Sequence, residues 1–290
     1  MIVIIPDSEK EKRMLERENR QANLFYPEDS IKLKWDLFIG VILITSCILI
    51  PYRLAFAPHP EKFIWAFIGY LIDFLFLVDI LFILNSAYYD DSFQIVEDRN
   101  QIAKKYLTSW FIVDLISIIP FELIFLIGNL TDYLKVTRVA RIYKIIKMTR
   151  LLRLIKILRE RIKLFKYINE IFKIGMNFER LVFFTIIFYI MVHTFTCLWI
   201  VLAQISEDLQ IPSWYDSYNT YNEANTYLVS FYWVITTITT VGFGEITGEN
   251  LMEKASSMTT MFFGACCFSF ATGSLASLIN NYDKENAKLN

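Results

Sequence analysis

The chain has 290 residues, 55% of them hydrophobic and 16% aromatic, with 29 basic against 30 acidic side chains. That composition is too apolar for a soluble domain, and long uncharged runs of this kind mark membrane spans. A formal net charge of −1 gives no pull on a polyanion, so no nucleic-acid partner is expected.

Residues 1–34 are polar and charged, with Lys10, Lys12, Arg13, Arg17, Arg20, Lys32 and Lys34 ahead of the first apolar run. They read as a cytoplasmic, partly helical lead-in. Met1–Pro6 is too short for the apolar core of a cleaved signal, so a span is expected to act as the signal. Apolar segments follow at 35–56, 62–89, 106–127, 133–159, 178–204 and 252–281. Six spans return both termini to one side. Arg99, Lys104 and Lys105 lie between the second and third, and Arg159, Arg161, Lys163, Lys166, Lys173 and Arg180 between the fourth and fifth. By the positive-inside rule these loops and both termini are cytoplasmic. The four cysteines, Cys47, Cys197, Cys266 and Cys267, sit inside apolar runs and read as buried thiols, with no disulfide or metal-ligand spacing. Asn129-Leu130-Thr131 is a glycosylation sequon on the outer side, too near the membrane to be used.

Asp73 and Asp79 in the second span and Asp114 in the third are flanked by apolar residues. Carboxylates at membrane depth need cationic partners. Phe76 precedes Asp79 by three residues on the same helix face, where its ring can seal the cavity over the carboxylate. The fourth run supplies cations at every third position: Lys135, Arg138, Arg141, Lys144, Lys147, Arg150, Arg153, Lys156 and Arg159. On an α-helix they form a slow spiral, and on a 3₁₀-helix they align. A surface helix or a calmodulin-type target is the alternative for a basic run, but so long a spiral leaves no single apolar face for either. Intramembrane cation ladders sense voltage, and three charges crossing the field would supply about 7 kcal/mol per 100 mV. Arg138, Arg141, Lys144, Lys147, Arg150 and Arg153 are the expected sensing charges.

No Lys or Arg occurs from Leu181 to Glu253, whereas Glu207, Asp208, Asp216 and Glu223 crowd the stretch after the fifth span. An acidic outer vestibule would concentrate cations. The apolar run Tyr227–Ile238 is too short to cross a bilayer but suits a re-entrant helix, assigned to 227–239. Thr239-Thr240-Val241-Gly242-Phe243-Gly244-Glu245 follows it. The glycines permit backbone conformations that turn successive carbonyls toward one axis. A tight turn between buried helices is the alternative for so short a string, and the re-entrant helix before it favours the lining of an aqueous pore. The string departs at one position, Phe243 for Tyr, from the Thr-Val-Gly-Tyr-Gly loop whose carbonyls replace the hydration shell of K⁺. The filter is therefore assigned to Thr240, Val241, Gly242, Phe243 and Gly244, with K⁺ held at Thr240, Val241, Gly242 and Phe243. Phe243 lacks a phenol to hydrogen-bond behind the filter, toward Trp233, so a less braced filter is expected. One loop cannot close a ring, so three further subunits are expected about a four-fold axis. Gly264, Ala265, Ala271, Gly273, Ser274 and Ala276 in the last span permit close approach, and Gly264 is its candidate hinge.

With these features together the sequence resembles six-span voltage-gated potassium channels. The resemblance is narrower to the branch with a C-terminal cyclic-nucleotide-binding domain, which holds ether-à-go-go, plant inward-rectifying, hyperpolarisation-activated and cyclic-nucleotide-gated channels. It rests on Lys34-Trp35-Asp36, Pro51, Ala55-Phe56, Tyr106 to Leu115, Ile119-Pro120-Phe121, His193, Cys197-Leu198-Trp199 and Gly273 to Ile279. It covers nearly all of the chain from about residue 27. The resemblance implies an all-α membrane protein with a four-helix voltage-sensor bundle (35–160), a linker (161–177), a pore domain (178–281) and the start of a cytoplasmic linker (282–290). The short linker implies a sensor packed on its own subunit's pore. Phe268 and Thr272 would face the cavity below the filter, with a constriction near Ile279. Gly242-Phe243-Gly244 argues for potassium selectivity within the branch. No covalent cofactor is implied, and a cyclic nucleotide would act only through a domain beyond Lys284, outside this sequence. Calmodulin-type regulators are left open.

The expected protein is a homotetrameric voltage-gated potassium channel, multi-pass in a plasma or ciliary membrane. The alternatives are a hyperpolarisation-activated or weakly selective cation channel and a non-conducting subunit. A voltage-sensing enzyme is disfavoured, since no nucleophile, base or phosphate loop stands outside the apolar runs.

Overall fold

The structure is a computed structural model and describes residues 24–56, 63–90, 92, 94–119, 151, 176–217 and 223–289. The first helix, α1 (Ser30–Phe56), begins five residues before its apolar run, where Lys32 pairs with Asp36 one turn on at 2.8 Å. Its length of about 40 Å exceeds a bilayer core. The second, α2 (Phe63–Leu84), stops short of the apolar run, which was expected to continue to residue 89. Asn85 and Ser86 turn their side chains back onto the carbonyls of Leu81 and Phe82, ending the helix. The chain then forms a small antiparallel hairpin, β1 (Tyr88–Tyr89) with β2 (Ile95–Val96), in register Tyr88 to Val96.

Leu24–Tyr26, at the end of the lead-in, are pinned beside this hairpin. Phe25 donates to the Asn85 carbonyl and accepts from Ala87, and its ring stacks on Phe82, 4.9 Å between centroids. Leu24, Tyr26, Ala87 and Ile102 form a small core there.

The third apolar run does not start where its first tyrosine does. Helix α3 (Arg99–Ser109), capped by Asp98, is polar, and the chain bends at Trp110 before α4 (Phe111–Ile118). The expected start at 106 falls on the polar helix, so apolar helix begins at Phe111. The fourth run, 133–159, lies outside the described residues except Leu151.

The remaining elements are α5 (Met176–Asp208), a 3₁₀ turn (Trp214–Ser217), α6 (Glu223–Ile238) and α7 (Leu251–Leu289). The short helix α6 thus starts four residues earlier than expected and ends one residue sooner. Among the described residues, Ser30–Phe56, Phe63–Leu84 and Phe184–Asp208 are long and apolar enough to cross a membrane.

Helix α5 is the shared wall of the molecule. On one side Cys197, Ile200, Val201 and Ile205 pack against Ala55 of α1, and Ile190 joins Ile39, Leu43, Cys47, Ile72 and Phe76 of α1 and α2. On the other side Val192, Trp199 and Ala203 pack with Trp233, Val234 and Ile238 of α6. Phe63, Phe67, Leu71, Phe74, Leu77 and Leu81 recur at helical spacing as an exposed apolar stripe along α2, which suits lipid.

Candidate ion pathway and sensor site

The end of α6 builds the loop. Thr239 and Thr240 continue the helix as a turn, donating to the carbonyls of Ile235 and Thr237. The Thr236 carbonyl then accepts from both Val241 N–H (2.9 Å) and Gly242 N–H (3.1 Å), so the loop after α6 hangs from one oxygen. The Thr236, Thr237 and Thr239 hydroxyls all fold back onto helix carbonyls.

Along the loop the backbone alternates. Thr240 (φ 61°), Gly242 (φ 54°) and Gly244 (φ 81°) are left-handed, with Val241 and Phe243 between them at negative φ. Alternation of this kind brings successive carbonyls to one side instead of the two-sided pattern of a strand. The glycines adopt it freely. Thr240, a β-branched residue, does so under strain of about 1–3 kcal/mol, which its residue type does not foretell.

Phe243 lies parallel to Tyr232, 6.4 Å between centroids, while Trp233 turns away to stack on Trp199 at 3.7 Å. Trp199 in turn lies parallel to Trp214 at 5.7 Å. A cavity of about 420 Å³ opens here, lined by Tyr232, Thr236, Phe243, Lys254, Met258 and Met261. Within this chain the ring at position 243 faces Tyr232, and Trp233 borders the same cavity.

Beyond the loop, Asn250 caps α7 by accepting from Glu253 N–H at 3.0 Å. The Glu253 carboxylate accepts from the N–H groups of Glu249 (2.9 Å) and Trp214 (3.3 Å) and is fully buried. The Asn-x-x-Glu spacing is a readable capping signal, overlooked because its burial depends on the distant Trp214.

On α7, Gly264 is buried beneath Ile238, whose Cα would stand 2.9 Å from a Cβ placed on the glycine. The position expected as a hinge is thus also a close contact with α6. Phe268, Thr272 and Ile279 share one exposed face, where Thr272 donates to the carbonyls of Phe268 and Ser269. Cys266 is exposed, against the expectation of a buried thiol.

Asp73, Asp79 and Asp114 are all buried. Asp79 accepts from the Trp35 indole N–H at 3.2 Å, and Asp114 from the Tyr106 hydroxyl at 2.7 Å. Asp73 lies one turn from Gly69, whose missing side chain makes room for the guanidinium of buried Arg53. Phe76 is 1% exposed, in the core that α1, α2 and α5 share. The cations Arg138, Arg141, Lys144, Lys147, Arg150 and Arg153 lie outside the described residues.

One side chain ties the two halves together. His193 of α5 meets the Ile48 carbonyl of α1 through Nε2 (2.9 Å) and the Tyr227 hydroxyl of α6 through Nδ1 (2.8 Å). A carbonyl only accepts, so Nε2 carries the hydrogen and Nδ1 accepts from the tyrosine. Gln204 adds a second tie from α5 to the Ala55 carbonyl at 2.6 Å.

The family described as ion transport protein matches residues 32–286. A voltage-gated delayed rectifier potassium channel of Homo sapiens, KCNH5, is 24% identical over 280 residues, covering 86% of this chain and 26% of the relative. The potassium channel AKT2/3 of Arabidopsis thaliana is 27% identical over 257 residues, 87% of this chain and 31% of its own length. The potassium channel KAT1 of Oryza sativa subsp. japonica is 26% identical over 268 residues, 89% of this chain and 35% of its own. The chain therefore spans between about a quarter and about a third of the length of these relatives, which are channels and not enzymes. Its apolar helices and the match across most of its length establish that the chain is a membrane protein belonging to the ion transport protein family.

Proposed function

We propose that four copies of this chain form a potassium channel gated by membrane voltage. The observation that carries the reading is the alternating backbone of Thr240–Gly244, hung from the Thr236 carbonyl at the end of a short helix. Four such loops about one axis would let the carbonyls of Thr240, Val241, Gly242 and Phe243 stand in for the water around a passing K⁺. The relatives named as potassium channels support the choice of ion. Buried Asp73, Asp79 and Asp114 are the counter-charges for the ladder from Arg138 to Arg153, with Phe76 between them. The face of α7 bearing Phe268, Thr272 and Ile279 lines the inner pathway, and Gly264 sets its upper end. Both termini are cytoplasmic and the membrane is plasma or ciliary; any cyclic nucleotide would act only through a domain outside this sequence.

Voltage-clamp recording of the full-length protein with potassium and sodium gradients exchanged tests the reading. Reversal potentials that follow potassium, with conductance changing steeply with voltage, are expected. Equal permeability would favour a weakly selective cation pathway, and silence from correctly inserted protein a non-conducting subunit.

A further inference from the structure

Glu253 is a fully buried carboxylate in the first turn of α7 that the ion pathway does not use. A carboxylate loses much hydration on burial and needs charge-assisted hydrogen bonds in return. Its Oε2 takes them from two separate segments: Glu249 N–H, in the loop leaving the filter, and Trp214 N–H, in the segment after α5. Asn250, which holds the Glu253 backbone N–H, also reaches the Ser206 hydroxyl (2.8 Å) and the Pro212 carbonyl (3.0 Å). Gly248 closes against the same turn, where a Cβ would meet Glu253 and Lys254 backbone atoms at 3.0 Å. The exit of the filter is thereby fastened to the end of α5.

A second path leads from the same carboxylate to the base of the filter. Trp214, 1% exposed, stacks on Trp199, and Trp199 on Trp233. The Trp233 carbonyl holds the hydroxyls of Thr236 and Thr237, and the Thr236 carbonyl holds the Val241 and Gly242 amides. Both ends of the loop from 240 to 249 are thus referred to one side chain.

We propose that Glu253 is a positioning residue for the filter, fixing the separation between the loop's exit and α6 so that the alternating backbone is held. The proposal rests on reading 240–244 as a filter. A helix cap alone would not explain it, because an exposed carboxylate caps equally well and has no need to reach Trp214, 39 residues away.

The test compares full-length wild type with Glu253→Gln and Glu253→Ala. Glutamine keeps an acceptor oxygen for both N–H groups, and alanine keeps none. Glu253→Ala is expected to raise sodium relative to potassium permeability and to quicken current decay during maintained opening by about tenfold, the scale of one hydrogen bond to a charged group. Glu253→Gln should stay closer to wild type than alanine in both measures, and the voltage midpoint should not move. A purely structural cap would lower the number of channels at the surface and leave permeability ratio and decay as in wild type, which would overturn the proposal. Should Glu253→Ala fail to reach the membrane, an α-hydroxy acid at position 249 deletes only the N–H that Glu253 accepts; wild-type decay in that protein would overturn it equally. A wild type that admits sodium as readily as potassium would defeat the ion assignment, while the decay comparison would still decide the role of Glu253.

Discussion

Gly264 and Ile238 are in backbone contact: a Cβ on the glycine would stand 2.9 Å from the Ile238 Cα and 3.0 Å from its Cγ1. Gly264→Ala must therefore push α7 away from the end of α6. Overpacking of this kind costs about 1–3 kcal/mol, so a lower thermal midpoint of the purified protein is expected. Ile238→Val should not restore it, because the nearest atom belongs to the main chain. An unchanged midpoint in Gly264→Ala would show that the contact yields freely and that the position serves bending alone.

Gly242 and Gly244 have positive φ, and a Cβ at either would meet nothing within 4 Å in its own chain. Backbone handedness, and not crowding within the chain, then disfavours an L-residue, at about 1–2 kcal/mol per position. D-Alanine introduced at Gly244 by semisynthesis should preserve potassium-selective current, whereas L-alanine should abolish it. Equal loss with both would point to crowding between subunits.

His193 and Tyr227 share a hydrogen bond that also reaches α1 through the Ile48 carbonyl. Tyr227→Phe removes one partner, and His193→Phe leaves the tyrosine hydroxyl without this acceptor. Each should cost roughly 1–3 kcal/mol, with less than additive loss in the double variant, read from denaturation midpoints. Additive losses would mean that the two side chains act independently.

Asp79 and Asp114 hold their places through Trp35 and Tyr106. Asp79→Asn should shift the voltage midpoint, and so should Arg141→Gln in the ladder. Tyr106→Phe, which strips a 2.7 Å hydrogen bond from buried Asp114, should shift it as well. Conductance–voltage curves unchanged in all three would remove these residues from the sensor.

Local features were legible where local physics decides them. The runs of apolar residues marked the long helices, and left-handed backbone at Gly242 and Gly244 was readable because glycine alone adopts it without cost. Thr240 was not readable, since its conformation is imposed by the neighbouring amides on Thr236 and not by its own preference. The bend at Trp110 was missed because apolar character runs on through Tyr106 and Leu107 although the surrounding helix is polar. Trp35 as partner of Asp79, 44 residues away, and Trp214 as partner of Glu253 are tertiary facts that no spacing rule reports. That Phe243 lies along Tyr232 within its chain, while Trp233 stacks on Trp199 from another helix, is a fact of the same kind.

Helix α5 answers to two masters. One set of its side chains is committed to α1 and α2, another to α6, and His193 and Gln204 reach α1 besides. A change on either flank is felt across its width, so substitutions that merely loosen one module will register in the other. The segment should tolerate the fewest replacements of any in the chain, and its central amides should be the slowest to trade hydrogen for deuterium.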